Sequence, residues 1–124
     1  MRTIIAAGFS AFLLLAVPLA ATAHHYFANF QQEEIVLRGT LVEAFLGNPH
    51  GILTIKANDQ QWDAHLGAAN HSRRLGLNNV LFERGDPIVV YGHPSVVPEK
   101  RELMTTHFIY DGVRYDVFFD TDDR

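Results

Sequence analysis

From Ile35 to Leu46 the chain reads Ile-Val-Leu-Arg-Gly-Thr-Leu-Val-Glu-Ala-Phe-Leu, an almost continuous β-forming run with a glycine inside it. Strands ordinarily run about five to six residues, so this one is long enough to be shared between two sets of neighbours. Glycine weakens a strand interior unless it marks a bulge or a close backbone approach. Gly39 therefore predicts a sharp bend at which one strand passes from one sheet to another, a device of small barrels and orthogonally packed sheets. Later β-branched and aromatic runs are cut by glycine, proline and asparagine at intervals of roughly ten residues, the rhythm of a small all-β barrel or sandwich.

Each run carries its own period. Ile52 to Ala57 alternates Leu53, Ile55 and Ala57 against Ile52, Thr54 and Lys56. Gln61 to Leu66 sets Trp62, Ala64 and Leu66 on one face and Asp63 and His65 on the other, which sends the tryptophan to the core. Asn48-Pro49-His50-Gly51 and Asn58-Asp59-Gln60 read as turns, the second of them a hairpin. Between Gly67 and Gly76 helix formers replace the alternation, with Gly76 as the C-terminal stop and Leu77 folding back. Gly85-Asp86-Pro87 turns into a strand over Ile88 to Tyr91, Leu103 to Tyr110 is another, and Asp111-Gly112 predicts a hairpin leading to Val113 to Phe119. Three strands, a short helix and two strands, with a bent first strand, give an all-β OB-like five-stranded barrel plus a C-terminal hairpin. A two-sheet β-sandwich is the alternative.

The N-terminal region has a different character. Arg2 precedes an apolar run from Ile4 to Val17, Pro18 follows, and Ala21-Thr22-Ala23 has small residues where signal peptidase requires them. The run falls short of the roughly 20 apolar residues of a spanning helix. The expected organisation is a signal peptide over 1–23, one domain over 24–119 and an acidic, solvated tail over 120–124. Such a chain is periplasmic or secreted and has no membrane anchor once the leader is removed. With no cysteine, disulfides and a lipid-modified anchor are excluded, and a metal site must draw on imidazole, methionine or carboxylate.

Cleavage after Ala23 leaves His24 first, so that one residue supplies both a free amine and an imidazole, and His25 follows. This donor set favours copper among the divalent ions. A cut after Ala21 instead places histidine third, where amine, backbone amides and imidazole also suit Cu(II). Tyr26, Phe27 and Phe30 favour docking of this segment onto the domain. His50, beside Pro49, is the distant partner best placed to project from a barrel mouth, so His24, His25 and His50 form the candidate metal site. His65 and Asp63 stand behind it or as alternatives to it. His71, His93 and His107 read as packed or hydrogen-bonded side chains, and Glu33-Glu34 and the pair Glu99 and Glu102 as solvated faces.

Other chemistries lack their residues. No HExxH pattern supports zinc, and Ser72 and Ser95 sit in no nucleophile elbow. A formal net charge of -4 argues against nucleic acid as partner. The remaining partners are a small molecule or a periplasmic protein, and no catalytic residue is assigned.

His24-His25-x-Phe27, Gly39-Thr40, Asn48-Pro49-His50, Trp62, Arg74-x-Gly76 and Gly85-Asp86 occur in an order that resembles a family of uncharacterised exported bacterial proteins. Its members look like single small domains that begin with a histidine pair followed by serine and phenylalanine, and they carry a tryptophan-threonine-asparagine-proline-histidine turn. Here Tyr26 replaces the serine, Gln31 stands where an aspartate commonly follows the second phenylalanine, and Leu46-Gly47 replace the tryptophan and threonine. The resemblance implies export and a domain of unknown function, and it supplies no catalytic residue.

Overall fold

The computed structural model describes residues 28–117. Its elements run β1 (Ile35–Phe45), β2 (His50–Ala57), β3 (Gln60–Ala68), α1 (Ala69–Arg74), β4 (Pro87–Pro94), β5 (Glu102–Tyr110) and β6 (Val113–Asp116). The bend expected at Gly39 organises them. Ile35 to Thr40 pair with β4, whereas Thr40 to Phe45 pair with β2, so the strand changes partners around its glycine. A Cβ at Gly39 would lie 2.1 Å from the Lys56 carbonyl oxygen and 3.2 Å from the Ala57 Cα, which leaves room only for hydrogen. The register slips between Leu41 and Glu43, and this bulge adds to the curvature.

That curvature lets the sheet close. Strand order is β3-β2-β1-β4-β5-β6, and β3 also pairs in parallel with β5 through Asp63 with Glu102, Ala64 with Leu103 and His65 with Met104. The first five strands thus form a closed mixed OB-like barrel. β6 bonds to the C-terminal half of β5 and lies outside the ring. Pairing of β3 with β5 joins the two ends of what would otherwise be an open sheet, so the sandwich alternative is set aside.

Alternating side chains fill the interior: Leu53 and Ile55 from β2, Ala64 and Leu66 from β3, Ile88 and Val90 from β4, and Leu103 and Phe108 from β5 are all buried. Trp62 faces the same way but is only partly buried. It pairs with Ile55 near the hairpin tip, at the end of the barrel, and Phe108 is the largest fully buried side chain. At that tip Asn58 and Asp59 both take positive φ, 52° and 60°, the mirror-image turn that matches strand twist. Asp111 and Gly112, at 49° and 74°, repeat the device between β5 and β6.

The helix ends as expected. Gly76 has φ of 80°, its N–H donates to the Arg73 carbonyl, and the Leu77 N–H donates to the Ser72 carbonyl. These are the two bonds of a Schellman motif, and Leu77 folds back into the core. Several boundaries differ from expectation, among them β4, which runs on from Tyr91 to Pro94. β3 continues to Ala68, and His50 is the first residue of β2 rather than part of a free turn, because it pairs with Ala68 and extends the ladder beyond Gly51. The last strand is described as Val113–Asp116. The expected leader, His24, His25 and the acidic tail lie outside the described residues. Among the described residues no helix is long and apolar enough to cross a membrane.

Candidate functional site

The β2–β3 pairing places two histidines side by side. His50 opens β2, and His65 sits on the outer face of β3 between the buried Ala64 and Leu66. Their nearest nitrogens, His50 Nε2 and His65 Nδ1, are 3.0 Å apart, with ring centroids 5.2 Å apart. Barrel closure then adds a carboxylate from a distant part of the chain. Glu102 begins β5 beside Asp63, and its Oε1 lies 3.6 Å from His65 Nε2.

The facing wall comes from the first described residues. Phe30 makes a β-bridge with Ser95, the Gln31 N–H donates to the Pro94 carbonyl at 2.8 Å, and the Val96 N–H donates to the Asn29 carbonyl at 2.9 Å. The Gln31 side-chain amide donates to the Ser95 carbonyl at 3.1 Å. Between the walls lies a cleft of about 270 Å³ lined by Asn29, Phe30, His50, His65, Ser95, Val96, Val97, Lys100 and Glu102. The N-terminal segment thus reaches the barrel at the histidine pair.

Burial, and after it the neighbouring His65, lowers the His50 pKa below its ordinary 6.5. Neutral imidazole has one nitrogen lone pair and one N–H. A separation of 3.0 Å suits a single hydrogen bond between the rings. It also suits two neighbouring donors on one ion, because bonds of about 2.0–2.1 Å at right angles set nitrogens roughly 2.8–3.0 Å apart.

The remaining candidates are placed elsewhere. Asp63 accepts from the Thr54 hydroxyl at 3.0 Å and does not line the cleft. His71 Nε2 donates to the Asp116 carbonyl, tying α1 to β6, and His107 stacks on Tyr91 with centroids 4.1 Å apart. His93 has its Nδ1 buried, with no hydrogen-bond partner among the described residues. Among the described residues no group of three or more histidine, cysteine, aspartate or glutamate side chains is arranged to hold a metal ion. The described part of the cleft therefore offers two imidazole nitrogens, short of a full donor set for a metal ion. Sequence reasoning assigned Glu102 to a solvated face. The signal that would have found it was the strand order itself, since an OB-like ring sets the start of the last barrel strand against the outward-facing positions of β3.

Fold and cleft together define a small OB-like module with a histidine pair at its rim. The chain belongs to the Family of unknown function (DUF6152), whose family model matches residues 11–103. Comparison with curated proteins finds no match. Among solved structures, the crystal structure of the ZRD-deleted mutant of TiaS in complex with agmatine is similar over 68% of this chain, at 17% identity and a TM-score of 0.50. This chain spans 26% of that one, and the likeness is one of fold.

Proposed function

We propose that the protein is an exported, periplasmic or secreted, non-catalytic module that binds copper(II) in the cleft between the N-terminal segment and the β2–β3 pair. His24, His25 and His50 supply donors, and His65 joins them. The observation that carries this reading is the 3.0 Å approach of His50 Nε2 to His65 Nδ1 in a cleft whose other wall is Phe30. From Phe30 back to His25 is five residues, which span at most roughly 18 Å. The expected N-terminal histidines are therefore within covalent reach of the pair. Burial and the neighbouring His65 lower the His50 pKa and so favour the neutral ring, the form that binds metal.

Mass spectrometry of the exported protein is expected to give His24 as the first residue. Copper titration of that form is expected to show a one-to-one complex that weakens in both His24→Ala and His50→Ala. Equal affinity in wild type and both variants would contradict it. A second reading, a binding module for a small molecule or a partner protein, is favoured by a larger groove of about 530 Å³ on another face, lined in part by Arg38, Val89, Ile109 and Asp111. That reading predicts copper-independent ligand binding that is unaffected by His50→Ala.

A further inference from the structure

We infer that Glu102 is a positioning residue that fixes the tautomer of His65, so that Nδ1 of that ring is the nitrogen offered to the cleft. The inference rests on the metal-binding reading for its functional meaning but on the barrel closure for its geometry. His65 has one ring nitrogen toward His50 at 3.0 Å and the other toward the Glu102 carboxylate at 3.6 Å. At 3.6 Å the contact is electrostatic rather than a formed hydrogen bond, but a carboxylate accepts and cannot donate, so its field favours the proton of a neutral His65 ring on Nε2, facing Glu102. Nδ1 then carries the lone pair. In the metal-free chain that lone pair accepts from His50 Nε2–H, and with an ion in the cleft it becomes a ligand.

The surroundings favour this division of roles. The other nearby carboxylate, Asp63, is engaged by Thr54 on the neighbouring strand. Glu102 itself is held by the backbone, since its N–H donates to the Lys100 carbonyl at 2.9 Å and its carbonyl accepts from the Ser95 N–H at 3.0 Å. The side chain of His65 is 18% exposed and that of Glu102 is 37% exposed, so the pair is partly shielded from water. Carboxylates that accept the outer N–H of a metal-bound imidazole fix its orientation, and their loss typically lowers metal affinity about 10- to 100-fold.

Long-range proton–nitrogen NMR of histidine-labelled, metal-free protein reads which ring nitrogen is protonated. Wild type is expected to show His65 as the Nε2–H tautomer, Glu102→Gln to retain it through the amide oxygen, and Glu102→Leu to shift toward Nδ1–H. Amide dispersion in the same samples reports that the barrel remains folded. Copper affinity is expected to fall about 10- to 100-fold in Glu102→Leu and to be largely kept in Glu102→Gln. An Nδ1–H tautomer in wild type, or one unchanged in Glu102→Leu, would overturn the inference. If wild type binds no copper yet shows the Glu102-dependent tautomer, the positioning role stands and the metal reading fails.

Discussion

Replacing Gly39 by alanine adds one methyl group at the bend on which barrel closure depends. Its Cβ would sit 2.1 Å from the Lys56 carbonyl oxygen and 2.9 Å from the carbonyl carbon. Ordinary carbon–oxygen contacts begin near 3.3 Å, so β1 and β2 must part by about 1 Å at this point. The obstructing atoms are backbone within a hydrogen-bonded ladder and cannot rotate away as a side chain would. Overpacking commonly costs about 1–3 kcal/mol, and this site belongs at the upper end, about 3 kcal/mol. Gly76 provides the control. It has φ of 80° with nothing within 4 Å of an added Cβ, so Gly76→Ala should cost only the left-handed backbone penalty, about 1–2 kcal/mol. Urea denaturation of the two variants and wild type, with unchanged slopes, measures both values. A Gly39→Ala chain within about 0.5 kcal/mol of wild type, or one less affected than Gly76→Ala, would refute the reasoning.

The hydroxyl of Tyr110 donates to Asp86 at 2.5 Å and accepts from the Glu83 N–H at 3.0 Å. Tyr110→Phe should therefore cost about 1–3 kcal/mol near neutral pH, measured by denaturation. Burial, and after it the bond to Asp86, raises the Tyr110 pKa above its ordinary 10.0. The folded state thus favours the neutral phenol, and the associated stability is whole below about pH 10 and is lost as pH rises through the folded-state value. In Tyr110→Phe this alkaline loss should shrink, as an unfolding series across the alkaline range will show. Leu53 is 0% exposed, so Leu53→Ala should cost about 2–5 kcal/mol. Val80, 94% exposed, should tolerate alanine within about 0.5 kcal/mol in the same assay.

Local chemistry made most of the fold legible. Gly39 announced the bend, Asn58-Asp59 and Asp111-Gly112 announced the two hairpins, and Gly76 with Leu77 announced the end of the helix, because each is a backbone requirement that few other residues meet. Alternation on β2 and β3 identified Leu53, Ile55, Ala64 and Leu66 as core. Trp62 packs against the core but is less buried than its alternation predicts, since period-two patterning gives a side chain's face but not its distance from the barrel's end. The candidate site was legible in part. His50 was identified from its turn, but its contact with His65 depends on β2 starting earlier than the proline suggested. Glu102 was missed because its place beside His65 arises from a parallel pairing between residues far apart in sequence, for which no local pattern exists.

The proposed role of the cleft is tested most directly by electron paramagnetic resonance of the one-to-one copper(II) complex, formed with the protein that begins at His24. Hyperfine coupling from the imidazole nitrogens of His50 and His65 is expected, identified by its loss in His50→Ala and His65→Ala. A spectrum and affinity that persist unchanged in the double variant would show that the ion is held elsewhere, and the rim pair would then be only a hydrogen bond between two side chains.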